Sequence, residues 1–222
     1  MATVAGGAAI GVLAGSRLAE RFRVTLISGI ALITFGVGLS SFLETDNAVF
    51  PVVSIVLGGL IGEGLRLEQR LEGVGEGLRR RFAAGQEGGT FVEGFVTMSL
   101  TACVGALTVL GSLADGIRGD NRLLVVKASL DGVVAVVYAA SFGWGVAFAA
   151  LTVGVLQGGI TVLGAVLGGG LLTDRMVAEL SATGGVMIFG IGLRLLDLRP
   201  VPVASYLPGL VIAPVLVALF AR

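Results

Sequence analysis

The stretch SATGGVMIFGIGL, Ser181 to Leu193, has a counterpart early in the chain, ISGIALITFGVGL, Ile27 to Leu39. Sliding the sequence along itself by 154 positions lays Phe35-Gly36-Val37-Gly38-Leu39 on Phe189-Gly190-Ile191-Gly192-Leu193. The same offset pairs Gly15 with Gly169, Leu18 with Leu172, Glu20-Arg21 with Asp174-Arg175 and Leu26 with Leu180. After a shift of three, Pro51-Val52-Val53-Ser54 meets Pro202-Val203-Ala204-Ser205, and Gly58 meets Gly209. A chain rich in Gly, Leu, Val and Ala aligns with itself somewhere by accident. An ordered series of Gly, Arg, Phe, Pro and Ser matches argues against accident and for a duplicated unit, residues 1–65 and 150–221.

Composition sets the solvent. Hydrophobic residues make up 55% of the 222 residues and charged ones 14%, against about a quarter charged in soluble domains; mean hydropathy is +0.98. The chain reads as an all-α integral membrane protein, one polytopic domain over residues 1–222. Its apolar runs of roughly 17 to 25 residues suit a ~30 Å hydrocarbon core. They are continuous instead of alternating in ~10-residue segments, which argues against a barrel. Fifteen basic and fifteen acidic residues balance, so no basic nucleic-acid surface is indicated. There is no His, and Cys103 is the single cysteine, which removes the usual metal ligands and an intrachain disulfide.

About eight crossings, with seven to nine as the range, emerge along the chain. Ala2 to Gly15 lacks the positive leading segment of a secretory signal and is read as the first helix. Gly7, Gly11 and Gly15 share one face at four-residue spacing, which lets helix backbones approach closely in lipid. Helices from Val24 to Leu43 and from Pro51 to Leu65 follow. Residues 65–83 form the one amphipathic segment, with Leu67, Leu71, Val74, Leu78 and Phe82 on one face and Arg79-Arg80-Arg81 at its end; it is expected on the membrane surface. Central helices fill residues 90–142, one from Phe91 to Leu113 and one from Leu123 to Ser141. A sixth segment, Val146 to Leu172, is interrupted at Gln157-Gly158-Gly159. The seventh holds Ser181 to Leu193, and the eighth, from Pro202, contains Pro208-Gly209 and Pro214 and should be kinked or broken.

With the N-terminus outside, the inner loops carry Arg17, Arg21, Arg23, Arg66, Arg70, Arg79, Arg80, Arg81, Arg194 and Arg199, and the outer side Arg118, Arg122, Lys127, Arg175 and Arg222. That excess favours N-out insertion. If helices one to three repeat as six to eight, the copies begin five crossings apart and must insert in opposite directions. Such inverted repeats are typical of secondary transporters and of some channels. Glu93-Gly94 also aligns with Asp131-Gly132, and Gly105 with Gly143, which makes the central helices a second candidate pair.

A carboxylate at membrane depth costs several kcal/mol unless something compensates it. Asp131, about two turns inside its helix, either attracts a cation and relays a proton or pairs with Lys127 one turn earlier. Glu93 either shares that role or sits at the interface. Glu63 and Glu179 lie near helix ends. Gln157 either lines a path or bonds to a neighbouring helix. Ser181, Thr183 and Gly184 lie where a helix could start or unwind within the bundle and expose backbone groups to an ion or an anionic group; glycine-mediated packing is the competing reading. No nucleophile with base and orienting group and no GxxxxGK[ST] loop occurs, so no enzyme, cofactor or metal site is expected.

The segments EGFVTMSLTACVGALTVLGSLADGI (Glu93 to Ile117), KASLDG (Lys127 to Gly132), ELSATGGVMIFGIGL (Glu179 to Leu193) and YLPGLVIAP (Tyr206 to Pro214) resemble, in order and over nearly the whole chain, family 554 of the domains of unknown function, the bacterial YdfK/YqgA-like membrane proteins. The resemblance implies a multi-pass protein of the bacterial inner membrane, in a family associated with transport and, in one branch, with biofilm formation. It supplies no site residues. The sequence thus leads to a transporter or channel for a small solute or cation, coupled to a sodium ion or a proton where coupling is needed, with Asp131, Glu93, Ser181, Thr183, Gly184 and Gln157 as candidate ligands. The rival is a non-transporting assembly or signalling protein, biofilm-related, acting through its glycine faces and its surface helix from Leu65 to Arg81. The GxxxG faces also suit a homo-oligomer, and equally contacts within one chain.

Overall fold

The computed structural model describes residues 1–15, 20–82, 88–103, 106–167 and 173–220. Every regular element among them is helical: α1 (Ala2–Gly15), α2 (Glu20–Phe42), α3 (Val49–Gly64), α4 (Leu67–Phe82), α5 (Gly88–Cys103), α6 (Ala106–Arg118), α7 (Arg122–Phe142), α8 (Gly145–Leu167), α9 (Asp174–Leu195), a 3-10 turn at Val203–Tyr206, and α10 (Pro208–Phe220). Five stretches are long and apolar enough to cross a bilayer: Val24–Phe42, Arg122–Phe142, Gly145–Val166, Asp174–Leu195 and Val203–Phe220. A sixth arises if α3 and α4, bent by 57°, count together, while Ala2–Gly15 and Thr90–Cys103 are shorter apolar helices. At 1.5 Å per residue, the 14 described residues of α1 reach about 21 Å; residues 16–19, which follow, lie outside the described residues.

Several local expectations meet a different chain. α8 runs unbroken through Gln157-Gly158-Gly159, and α9 through Ser181-Ala182-Thr183-Gly184-Gly185. A helical glycine costs about 1 kcal/mol, less than leaving amides and carbonyls unpaired in hydrocarbon, so the helix persists. α9 begins instead at Thr173, whose hydroxyl accepts from the amide of Met176. The segment read as one helix from Phe91 to Leu113 is helical up to Cys103 (α5) and from Ala106 onward (α6); residues 104–105 lie outside the described residues. The break near Pro208 is present, as the 3-10 turn followed by α10, with Pro214 inside the latter.

The chain forms two compact units. Unit 1 holds Met1–Ile30, Arg70–Cys103 and Leu107–Val166; unit 2 holds Ala31–Gln69, Val104–Ala106 and Leu167–Arg222. In unit 1, α1 lies parallel to α7, and a Cβ on Gly7, Gly11 or Gly15 would overlap the carbonyl oxygens of Gly132, Val136 and Ala140 in turn. The three-glycine stripe is therefore spent within the chain. α5 and α8 also run parallel, with Gly145 against Phe91 and Ser99 Oγ donating to Thr152 Oγ1 at 3.1 Å.

In unit 2, α2 and α9 run antiparallel. Gly38 packs on Gly185, Gly192 on Ala31 and Phe35, and the rings of Phe35 and Phe189 lie 4.6 Å apart between centroids. Replacing each partner by its counterpart at the 154-residue offset turns the Gly38–Gly185 contact into Ala31–Gly192, which is also present. α3 crosses the 3-10 turn and α10 in the same antiparallel sense: Ser54 beside Gly209, Gly58 against Gly209 and Gly62 against Ser205. At each crossing a residue meets its own sequence counterpart, Phe35 on Phe189 and Gly58 on Gly209.

Candidate functional site

The helical face of α3 that meets α10 is made of Ser54, Gly58 and Gly62, each buried and one turn apart. Opposite stand Ser205, Gly209 and Ala213, buried at the same spacing. The side chains are small because the backbones touch: a Cβ on Gly58 would lie 2.5 Å from the amide nitrogen of Gly209. Pro208 opens α10, so the first amide that the helix presents is that of Gly209. Gly209 is buried. Since Gly209 lies beside Ser54 and Gly58, this helix N-terminus sits near the midpoint of α3. Thr183, midway along α9, brings its methyl group within 3.5 Å of a Cβ built on Gly209.

Two buried carboxylates hold the ends of unit 2. Near the start of α9, Glu179 is 1% exposed; its Oε2 accepts from Thr45 Oγ1 at 2.6 Å and its Oε1 from the amides of Asp46 and Asn47 at 3.0 Å each. Three donors satisfy the charge without a cation, the arrangement that a buried carboxylate needs. Asp46 also pairs with Arg175 at 3.5 Å. At the other end of α9, Arg194 donates to Glu68 Oε1, and the Ala204 amide donates to Glu68 Oε2 at 2.7 Å. Ser205 Oγ donates to Glu63 Oε2 at 3.3 Å. Fifteen residues of helix separate Glu179 from Arg194, about 22 Å along the axis.

Of the residues singled out from sequence, Ser181, Thr183 and Gly184 belong to unit 2, all buried in α9. Thr183 Oγ1 donates to the Glu179 carbonyl at 2.8 Å, whereas Ser181 Oγ is buried without a partner. Asp131, Glu93 and Gln157 belong to unit 1. Asp131 is buried in α7 with Lys127 Nζ 2.5 Å from its Oδ2, the internal pairing that sequence had left open. Glu93 and Gln157 are half-buried on α5 and α8. Among the described residues no group of three His, Cys, Asp or Glu side chains could hold a metal ion.

Sequence reasoning passed over Ser54, Gly209, Glu68 and the grip of Glu179 on the loop after α2. Ser54 and Gly209 did carry a signal, since both stand in the repeat alignment. Glu68 and Glu179 carried none, because their partners lie more than a hundred residues away. On charged α4, hydrogen bonds from Arg79 first and Arg80 second hold the half-buried Glu76 carboxyl well below its usual range, at about 2.

No solved structure matches the chain. Two bacterial proteins do. The "Uncharacterized membrane protein YdfK" of Bacillus subtilis is 28% identical over 215 residues, covering 95% of this chain and 90% of that protein. The "Uncharacterized protein YqgA" of Escherichia coli is 29% identical over 210 residues, covering 93% and 89%. The family described as "Protein of unknown function (DUF554)" matches residues 1–218. The chain is a membrane protein, in contact with lipid, and it belongs to the DUF554 family.

Proposed function

We propose that this protein moves a small solute across the bacterial inner membrane, as a secondary transporter or channel, and that residues 31–69 and 173–220 of unit 2 are the facing halves of an inverted repeat. The observation that carries this reading is the pair of self-matched antiparallel crossings, Phe35 on Phe189 and Gly58 on Gly209. Transporters of that design bind near mid-membrane, where a helix is interrupted. Here the interrupted element is the 3-10 turn and α10, and Thr183 and Ser54 stand beside its start. Glu179 and the Glu68–Arg194 pair suit the two ends as closures. Insertion is N-out, no enzymatic step or cofactor is involved, and coupling to a sodium ion or proton is part of the proposal.

Asp131 takes a lesser role than its sequence position suggested, because Lys127 already neutralises it. That pairing is the one observation favouring the rival reading, a non-transporting assembly protein. The glycine stripe of α1 counts against the rival, since it is occupied by α7 and not free for a second copy. Purified protein in liposomes, assayed against a broad panel of ions, amino acids and small carboxylates, separates the two. Saturable flux of any of them supports transport; none across the panel supports the rival.

A further inference from the structure

Both α7 and α8 are long and apolar enough to cross a bilayer, so the turn that joins them, Gly143-Trp144, stands at a membrane face. Trp144 is the single tryptophan of the chain and is 40% exposed. Tryptophan at the end of a span suits the headgroup level, where its ring is in apolar surroundings and its N–H is wet. One turn further along, the ring centroid of Phe148 lies 5.5 Å from that of Phe91 on α5 and 5.4 Å from that of Phe82 at the end of α4. Midway along α4, a Cβ on Gly75 would lie 2.8 Å from the ring of Phe95. The second half of α4 is thus laid across the first turns of α5 and α8, at the face that Trp144 marks.

That half ends in Arg79-Arg80-Arg81-Phe82. Glu76 takes up Arg79 through two nitrogens, Nε at 2.8 Å and Nη2 at 2.7 Å, but reaches Arg80 only at Nε, 3.0 Å away. The Arg80 side chain is 75% exposed. Arg81 is exposed too and forms no ion pair among the described residues; its guanidinium lies 5.6 Å over the ring of Phe82. Against three arginines, the carboxylates described at this face are Glu76 and, half-buried on α5, Glu93, so positive charge is in excess. A guanidinium fork matches phosphate oxygens in pairs. Phe82, 61% exposed beside these cations, offers an apolar ring at the level where acyl chains begin. Cations next to bare aromatic surface at a membrane face suit a molecule with an anionic head and an apolar tail.

We propose that Arg80 and Arg81 bind the phosphate headgroup of an anionic phospholipid, with its acyl chain against Phe82, so that this end of unit 1 selects lipid by charge. The binding is independent of transport.

Trp144 supplies the test. The purified full chain is reconstituted in vesicles of phosphatidylcholine and phosphatidylglycerol in equal parts, with bromine carried on the acyl chains of one lipid or of the other. Bromine quenches tryptophan on contact, and with one tryptophan in the chain the quenching reports which lipid occupies this face. Brominated phosphatidylglycerol is expected to bind about fivefold better, the share of one arginine near an anionic surface. The double variant Arg80→Gln, Arg81→Gln changes two exposed side chains and should bring the lipids level. Arg122→Gln, at the far end of α7 and 91% exposed, should keep the preference. Equal quenching by both lipids in the unaltered protein, or a preference that survives in the double variant, overturns the proposal. A readout without substitution guards against misfolding: sodium chloride should shrink the preference, since salt screens exposed charges, and a preference insensitive to salt overturns the headgroup bond. Sodium phosphate should do no more than sodium chloride at the same ionic strength; complete loss with phosphate alone would give the arginines to a free anion and overturn the lipid site.

Discussion

Gly58 and Gly209 cross with their backbones in contact, the amide nitrogen of Gly209 lying 2.5 Å from where a Cβ on Gly58 would be. Neither neighbour is a side-chain tip that can swing away. Gly58→Val should therefore destabilise by at least about 1–3 kcal/mol, the range for overpacking, read as a lower melting temperature in detergent. Gly36→Ala, on the open side of α2 where nothing lies within 4 Å, should raise stability by about 0.5–1 kcal/mol through the backbone entropy of the unfolded chain. Equal effects at the two positions would contradict the crossing.

Lys127 and Asp131 form one unit in α7, with side chains only 8% and 12% exposed. Removing a single partner leaves a buried charge and should cost about 3–5 kcal/mol, while removing both should cost far less than the sum. Lys127→Met, Asp131→Leu and the double variant, unfolded by the same thermal assay, form the cycle. Additive losses would show that the two residues act separately.

Glu179 anchors the loop between α2 and α3 through two amides and one hydroxyl. Glu179→Ala should cost roughly 2–3 kcal/mol or more, as expected for hydrogen bonds to a charged group, and should speed deuterium exchange at Asp46 and Asn47. Exchange unchanged at those amides would deny the anchor.

Cys103 is buried, so a membrane-impermeant maleimide should leave the native protein unlabelled and react only after denaturation. In a Cys103→Ala background, N-out insertion with α1 as the first crossing places Asp46→Cys outside and Arg70→Cys inside, both at exposed positions. Whole-cell labelling should reach the first and miss the second. The reverse pattern would invert the orientation.

Membrane residence, helical class and the break before α10 were legible in sequence, because apolar run length and proline chemistry are local properties. So was the close-packing face of α1, from the spacing of Gly7, Gly11 and Gly15. The partner of that face was not: any carbonyl row would serve, and nothing in residues 2–15 names α7. Glycine misled at Gln157-Gly158-Gly159, and left two readings open at Ser181 to Gly185, for a related reason. The same residue permits an unwound turn in water and a tight helix contact in lipid, and only the neighbours decide. The Lys127–Asp131 pair was visible as one of two readings, since four-residue spacing allows it without requiring it. Ser54 was hidden by its ordinariness; that its buried hydroxyl has no partner among the described residues is something no sequence records.

The meeting of Phe35 with Phe189, and of Gly58 with Gly209, has a consequence for origin. A surface whose central residue contacts its own counterpart is complementary to itself. On the proposed inverted repeat, a shorter ancestral chain carrying one half, inserted in both directions in one membrane, would have met a second copy through these same contacts. Fusion into one polypeptide would then have fixed the two orientations and left each half free to diverge, in keeping with the bond of Ser205 to Glu63 and the absence of one at its counterpart Ser54 among the described residues.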